Sequence, residues 1–417
     1  MIFGTDDPGM MRIALLGTRG APARYGGFET AVEEIGSRLV QRGHDVTVYC
    51  RQQGPREYLG MRRVELPALR HRVLETISHS MLSAVHAAVR RPDMVFVFNA
   101  ANSPVLPILR RAGIPTAVHV DGLEWRRSKW SGAGRRYYLI NEGLATAWAD
   151  ALIADAGGIA GYYKSRYGYD ADLITYGAPE HRELPIERLA ELGLRPGGYH
   201  LVVARLEPEN HVHLIVEGYR ASAATLPLVV VGGVTYETDY QRELAASIDP
   251  DPRIISTGPV YDQDLLDCLY EGAFTYLHGH SVGGTNPSLL RALAAGQCVV
   301  AHQNVFNAEV LGGSGYLFRT AEDVADQIEY LEARPQRVAQ QHTAARARAA
   351  AYTWDDVAAR YEKLAERLVV GNAPSQRVPL RQALAIARTT PHMLPELDII
   401  PRQASPAGAE EQVARSA

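Results

Sequence analysis

Cysteine is scarce in this sequence. Cys50, Cys268 and Cys298 stand far apart, with neither a CxxC pair nor a histidine cluster beside them, so neither a disulfide framework nor a zinc site is expected. Long apolar runs are also missing: nothing reaches the ~18 residues that cross a bilayer. The opening MIFGTDDPGM is acidic where a secretory signal would be basic. Together these absences predict an intracellular, cytoplasmic protein. There is no excess of positive charge either, with 43 Lys and Arg against 47 Asp and Glu. A net charge of −4 gives no general attraction to nucleic acid or to anionic lipid. No nucleic acid partner is expected, and a lipid surface would have to be met by a local patch.

What the sequence does have is alternation. Ile13 to Leu16 is a short apolar run closed by Gly17, the mark of a buried parallel strand. After a glycine-rich loop, Ala31, Val32, Ile35 and Leu39 repeat at helical spacing, Gly43 stops the helix, and Val46 to Tyr49 reads as the next strand. Further strands are expected at 94–98, 116–120, 151–154 and 173–175, and the pattern restarts at 200–204, 227–231, 253–256, 274–277 and 298–301. At 417 residues the chain exceeds one ordinary core. The reading is an α/β protein of two Rossmann-like, doubly wound parallel-sheet domains facing a cleft. The boundaries are an N-terminal extension at 1–11, a first domain at 12–177, a linker at 178–198, a second domain at 199–353, a closing amphipathic helix at 354–370 and a largely disordered tail at 371–417.

In such folds the strand C-terminal ends hold ligands, so the loops there carry the chemistry. The first loop, GTRGAPARYGGFET, has Gly17, Gly20, Gly26 and Gly27 with Arg19, Arg24 and Tyr25. It suits close passage of the backbone past an anionic ligand, or a long turn. VHVDGLEWRRSKW places Asp121 and Glu124 just past a strand, where carboxylates orient or deprotonate a hydroxyl or cap a helix. The basic and aromatic stretch after it, Arg126 to Tyr138, fits a lipid surface or a solvated helix face better than a nucleic acid. Arg205, in VVARLEPEN, suits a diphosphate or a surface ion pair. In SVGGTNPS, Asn286 reads as an N-cap and Pro287 as the first helical residue after a flexible Ser281 to Thr285, a plausible anion site. DAD at 170–172 and DPD at 249–251 read as turns rather than metal sites. His119, His278 and His280 read as packed or hydrogen-bonded residues. The stretch Leu69 to Arg91 sets Arg70, His71, Arg72, Arg90 and Arg91 around apolar Leu74, Ile77, Met81 and Leu82.

Taken in order, these motifs resemble the GT-B glycosyltransferases of family 4, in their bacterial rhamnosyltransferase-like branch, from about Arg12 to about Leu368. The resemblance implies an enzyme that moves a hexose from a nucleotide-diphospho-sugar to a glycan or lipid-linked hydroxyl with retention of configuration. Deoxythymidine-diphosphate-rhamnose is the favoured donor. No metal or other cofactor is required, and peripheral contact at the inner face of the plasma membrane is in keeping with the family. The second domain would hold the donor through Arg205, Gly283, Gly284, Thr285, Asn286, Ser288, Arg291 and Glu309, helped by Gly20. The first would hold the acceptor through Arg24, Tyr25, Gly26, Gly27 and Trp125. Asp121, Glu124 and Arg205 would act in catalysis.

Arg291 departs from the pattern. The family has a glutamate there for the donor's ribose, and a guanidinium has no acceptor atom to replace it. Just over one turn into its helix, Arg291 would either lean toward the diphosphate or pair with a local acid such as Glu309. Two other readings remain: a sugar-nucleotide epimerase of the same fold, and a degenerate, non-catalytic binding protein.

Overall fold

The structure is a computed structural model describing residues 9–23, 26–69, 74–128, 130–180, 182–233, 238–371 and 376–389. The chain divides into two compact units, residues 178–353 forming the second and the remaining described residues the first.

The first unit begins β1 (Arg12–Leu16), α1 (Gly27–Gln41), β2 (Asp45–Cys50), β3 (Glu57–Tyr58), β4 (Met61–Glu65), α2 (Leu74–Arg90) and β5 (Met94–Phe98). It continues α3 (Leu106–Arg111), β6 (Thr116–His119), α4 (Gly132–Trp148), β7 (Ala151–Ala154), α5 (Gly157–Tyr167) and β8 (Asp172–Leu173). The strands lie in the order β3-β4-β2-β1-β5-β6-β7-β8. All pair in parallel except β3 with β4, and β1 is held between β2 and β5. Strands β1, β5, β6 and β7 are apolar along nearly their whole length because helices cover both faces.

The β3–β4 hairpin was not expected. Its signal is broken by Arg63, which is buried and donates to the backbone carbonyls of Ala21 (2.7 Å) and Gln52 (2.9 Å). A guanidinium therefore fills a place where the strand pattern calls for an apolar residue.

The second unit runs β9 (His200–Val203), α6 (Val212–Ala221), β10 (Leu228–Val231), α7 (Asp239–Ile248), β11 (Ile254–Gly258), α8 (Gln263–Glu271) and β12 (Thr275–His278). It ends α9 (Pro287–Ala294), β13 (Val299–His302), α10 (Val305–Leu311), β14 (Gly315–Phe318), α11 (Ala321–Glu332) and α12 (Pro335–Ala349). Its sheet is wholly parallel, in the order β11-β10-β9-β12-β13-β14. Val202, Val230, Leu277 and Val300 from the strands pack with Ile215 and Val216 of α6 and with Ile328 of α11 in one core.

The chain then returns to the first unit with α13 (Trp354–Val369) and α14 (Leu380–Arg388). Tyr361 of α13 is buried against Phe96, and its hydroxyl is hydrogen-bonded to His119 Nδ1 at 2.8 Å. Glu362 accepts from Arg42 (2.9 Å) and pairs with His44 (2.9 Å), while Arg367 reaches both oxygens of Asp172 (2.7 Å).

The expectation of a structureless stretch after Val370 is corrected in part by α14. Val378 N–H donates to the Thr146 carbonyl (3.0 Å), and Ala383 and Ala387 press onto α4 at Gly143. Burial through alanines and one glycine leaves little hydrophobic signal in the sequence. Residues 1–8 of the expected extension (1–11) and 390–417 of the expected tail (371–417) lie outside the described residues.

Candidate active site

A parallel sheet whose successive crossovers run to opposite sides leaves its loops parted at one point, where ligands bind. In the second unit that point lies between β9 and β12, because β9 leads outward to β10 while β12 leads the other way to β13. The two motif loops hang from these strands. Arg205 lies two residues beyond β9, half-buried and 3.5 Å from Glu207. Buried Asn210 donates to the Arg205 carbonyl (2.8 Å), which holds the turn.

From β12, Gly279 has no room for a Cβ against the Asn210 carbonyl, and Ser281 donates from both N–H and Oγ to the Glu209 carbonyl (3.0 Å each). The two loops are thereby locked together. Gly283 has φ +141 with open space where a side chain would be, and Gly284 and Thr285 are buried. Asn286 caps α9, its Oδ1 accepting from Ser288 N–H (3.0 Å) and Ser288 Oγ (2.7 Å), and Pro287 is the first helical residue. The positive end of the α9 dipole thus opens beside Gly283.

Arg291 does not turn toward this loop. Its Nε donates to Asp267 Oδ1 of α8 (2.6 Å), its Nη2 lies 2.5 Å from the same oxygen and 3.1 Å from Gln263, and its guanidinium lies over the Tyr270 ring. Both expected placements, leaning on a diphosphate and pairing with Glu309, are corrected: Asp267 is nearer and also holds Arg182 (2.7 Å). Glu309, half-buried on α10, is anchored through its backbone carbonyl, which accepts from Arg348 (2.7 Å).

Histidines crowd the same strand ends. His211, at φ +45, bonds the Gly279 carbonyl through Nδ1 (2.8 Å) and stacks on His302 with ring centroids 4.1 Å apart. His278 stacks on His280 at 4.4 Å. Burial pushes both His278 and His302 down to about 3, so both rings are neutral at pH 7. The carbonyls of His280 and His302 each accept from Asn304 and Asn307. His211, His302, Asn304 and Asn307 were not singled out in the sequence, where only their position after strands marks them.

In the first unit the equivalent point lies between β1 and β5. Gly17 has no space for a Cβ against the Phe98 carbonyl, and buried Asn102 donates to the carbonyls of Gly17 (3.1 Å) and Phe98 (2.7 Å). Asn99 and Asp121, at the ends of neighbouring β5 and β6, both adopt left-handed backbone (φ 73 and 65), and Asn99 Nδ2 reaches Asp121 Oδ2 at 3.4 Å. Two non-glycine residues held there mark a site where backbone strain is imposed by the surroundings. The NAAN run carried that signal in the sequence.

Other expected residues have structural partners. Glu124 pairs with Arg127, and Trp130 Nε1 lies 3.5 Å from it. Trp125 is corrected as an acceptor contact: it is buried between the Tyr162 ring and the Arg135 guanidinium. Gly20 backs onto Cys50, which alone excludes a side chain there. At Gly26 and Gly27 the entrance of α1 is occupied by Glu29, whose carboxylate lies against Gly26 and accepts from Arg19 N–H (3.1 Å). An acid there makes this entrance a poor anion site. Arg24 and Tyr25 lie outside the described residues.

Among the described residues no group of three or more His, Cys, Asp or Glu is placed to hold a metal ion. Asp172 pairs with Arg367 and Asp251 with Arg253 (2.8 Å).

Residues 26–179 match the glycosyl transferase 4-like domain, and residues 198–333 match glycosyl transferases group 1. No curated protein matches the chain by sequence. Among solved structures, the chain is similar to sucrose-phosphate synthase from Thermosynechococcus elongatus, at 19% identity and TM-score 0.73 over 86% of this chain and 99% of that one. It is similar to HepE from Anabaena, solved in complex with UDP-glucose, at 18% identity and TM-score 0.71 over 85% and 99%. A glycosyltransferase from Rickettsia africae matches at 14% identity and TM-score 0.59 over 91% and 98%. At these identities the likeness establishes a shared fold.

Two predictions follow from the geometry of the second unit. Arg291→Glu sets a carboxylate against Asp267 and lowers stability by about 1–3 kcal/mol, and adding Asp267→Asn recovers part of it; denaturant midpoints check both. The second concerns acid. Unfolded, His278 and His302 take up protons below about pH 6.5; folded, they stay neutral to about 3. The unfolded state therefore binds more protons between those values, and stability falls by about 1.4 kcal/mol per pH unit per ring between pH 6 and 4. An acid series of melting curves on the wild type and a His302→Gln variant measures that slope.

Proposed function

From the premise that the chain is a glycosyltransferase of the GT-B fold, we propose that it moves a hexose from a nucleoside-diphospho-sugar to an acceptor hydroxyl with retention of configuration. The second unit takes the donor and the first unit the acceptor. The observation that carries the donor assignment is the convergence of Arg205 and the Asn286-capped entrance of α9 on the strand ends flanking the switch point.

The bond that breaks joins the anomeric carbon to the diphosphate oxygen, and negative charge grows on that oxygen as it leaves. The Arg205 guanidinium and the α9 N-terminus would stabilise that charge. Asp121, held at φ 65 beside Asn99, positions the acceptor hydroxyl. That hydroxyl's proton passes to the departing phosphate oxygen, and the new bond forms on the face the diphosphate leaves. Arg291, tied to Asp267, belongs to the wall behind α9 rather than to the donor.

Thermal unfolding against a panel of nucleotide sugars tests the donor assignment, with deoxythymidine-diphosphate-rhamnose and UDP-glucose first. A ligand at 100 times its dissociation constant adds ~2.7 kcal/mol. Arg205→Ala is expected to abolish the shift and to lower turnover by about 10²–10³, whereas Asp121→Asn is expected to lower turnover and leave the shift intact. Donor hydrolysis or epimerisation without any acceptor product would favour the epimerase reading instead.

The exposed side of α2 supports a peripheral membrane contact. Met81, Leu82, Val85 and Val89 lie exposed along it, Val89 to 76 %. Between Glu75 and Asp121 the charged residues are Arg90, Arg91, Arg110, Arg111 and Asp93, and Asp93 is taken by Arg12 (2.8 Å). An apolar stripe beside arginines that have no acidic partner among the described residues, in a chain of net charge −4, fits the surface of an anionic bilayer. Arg70, His71 and Arg72, also expected here, lie outside the described residues. Arg90→Gln with Arg91→Gln is expected to weaken co-sedimentation with phosphatidylglycerol vesicles about 30-fold; wild type left in the supernatant at low salt would refute the contact.

A further inference from the structure

The C-terminal end of β2 carries a group of hydrogen-bond donors that the steps above do not use. Arg51 follows directly from β2, and its N–H donates to the Arg19 carbonyl (3.0 Å), so the two arginines stand side by side at the ends of β1 and β2. The Arg51 side chain is only 9 % exposed, its Nε has no hydrogen-bond partner, and its carboxylate is Glu75, at a long 3.8 Å. Burial, with Arg19 adding to it, pushes the Arg51 pKa down against the pull of Glu75 and Glu29.

Next to Arg51 lies His79 of α2, fully buried against the Cys50 backbone, with neither ring nitrogen in a well-formed hydrogen bond. The hydroxyl of Ser80, also fully buried, has no partner either. Of the two nearby acids, Glu29 already accepts from Arg19 N–H, and Glu75 is nearly half exposed. The buried Arg51 Nε is thus left without an acceptor, and neutral His79 beside it leaves its ring N–H unmet as well. Leaving such groups buried and unpaired is costly, and sites that tolerate it are candidates for a ligand that supplies the missing partners.

We propose that Arg19 and Arg51, with His79, hold a phosphate or diphosphate carried by the acceptor, in a site within the first unit and separate from the donor site. This deepens, and rests on, the reading of the first unit as the acceptor-binding unit. A phosphoryl group supplies several acceptor oxygens to a guanidinium fork, the geometry that favours arginine over lysine. Glu29 and Glu75 keep the empty site near neutrality, and the incoming anion draws Arg51 away from its long contact with Glu75.

Calorimetric titration of the full chain with inorganic pyrophosphate tests this. The wild type is expected to show two sites, one lost in Arg205→Ala and the other lost in Arg51→Met. Arg19 is exposed, so Arg19→Gln leaves the core untouched and should weaken the second site about tenfold or more. A second site unaffected by both arginine substitutions, or no second site, overturns the proposal. A single site abolished by either Arg205→Ala or Arg51→Met means that the arginines grip the donor's own diphosphate, which also overturns it. Pyrophosphate binding that survives Arg205→Ala and vanishes only in Arg51→Met refutes the donor assignment and leaves this site standing.

Discussion

The parallel pairing at the middle of each sheet, β1 between β2 and β5 and β9 between β10 and β12, is the constraint on which the remaining features depend. Parallel strands place all their C-terminal ends along one edge, and a reversal of crossover direction parts the loops at a single point. In both units some of the residues with left-handed or otherwise unusual backbone lie at this edge, although Leu59 and Arg91 lie away from it. Gly17, Asn99 and Asp121 are at the edge in the first, and His211 and Gly283 in the second. Glycine takes such a conformation at little cost, whereas at Asn99, Asp121 and His211 it is costly and persists because the surroundings impose it.

The second unit shows how such an edge is made rigid. Asn210 ties the turn that carries Arg205, Ser281 ties the following loop to Glu209, and Asn304 and Asn307 tie the His280 and His302 carbonyls. These are mostly hydrogen bonds from side chains to backbone in a region nearly closed to water, where an unmade bond is expensive. The stacked rings fill the remaining space, and burial keeps His278 and His302 neutral. The result is a preorganised rim on which half-exposed Arg205, 3.5 Å from Glu207, can meet an anion.

Arg291 illustrates how a cation in the second turn of α9 is accommodated. Asp267 sits across from it on α8, and Arg182 shares the same carboxylate, so the charge is absorbed into a three-residue network. Within that network Arg291 braces α9 against α8, and the helix keeps its cap and its open entrance. A binding function for the second unit is therefore compatible with arginine at this position.

The sequence by itself determined the alternation of strands and helices, because buried parallel strands are apolar along their length and helical periodicity cannot be hidden. It also determined the Asn286 cap and the strand-end position of Arg205 and Asp121, since capping and strand termination are local. Only the tertiary structure decided the partner of Arg291 and the burial of Trp125, because each depends on side chains distant in sequence or on a choice among several acids, whereas Glu29 in the first turn of α1 is a local feature. The β3–β4 hairpin and α14 escaped notice for the same physical reason: buried Arg63 in one, and alanines against Gly143 in the other, replace the apolar residues by which burial is recognised in a sequence. The unmet donors of Arg51 and His79 belong to this class too, for a missing partner is a property of three-dimensional surroundings alone.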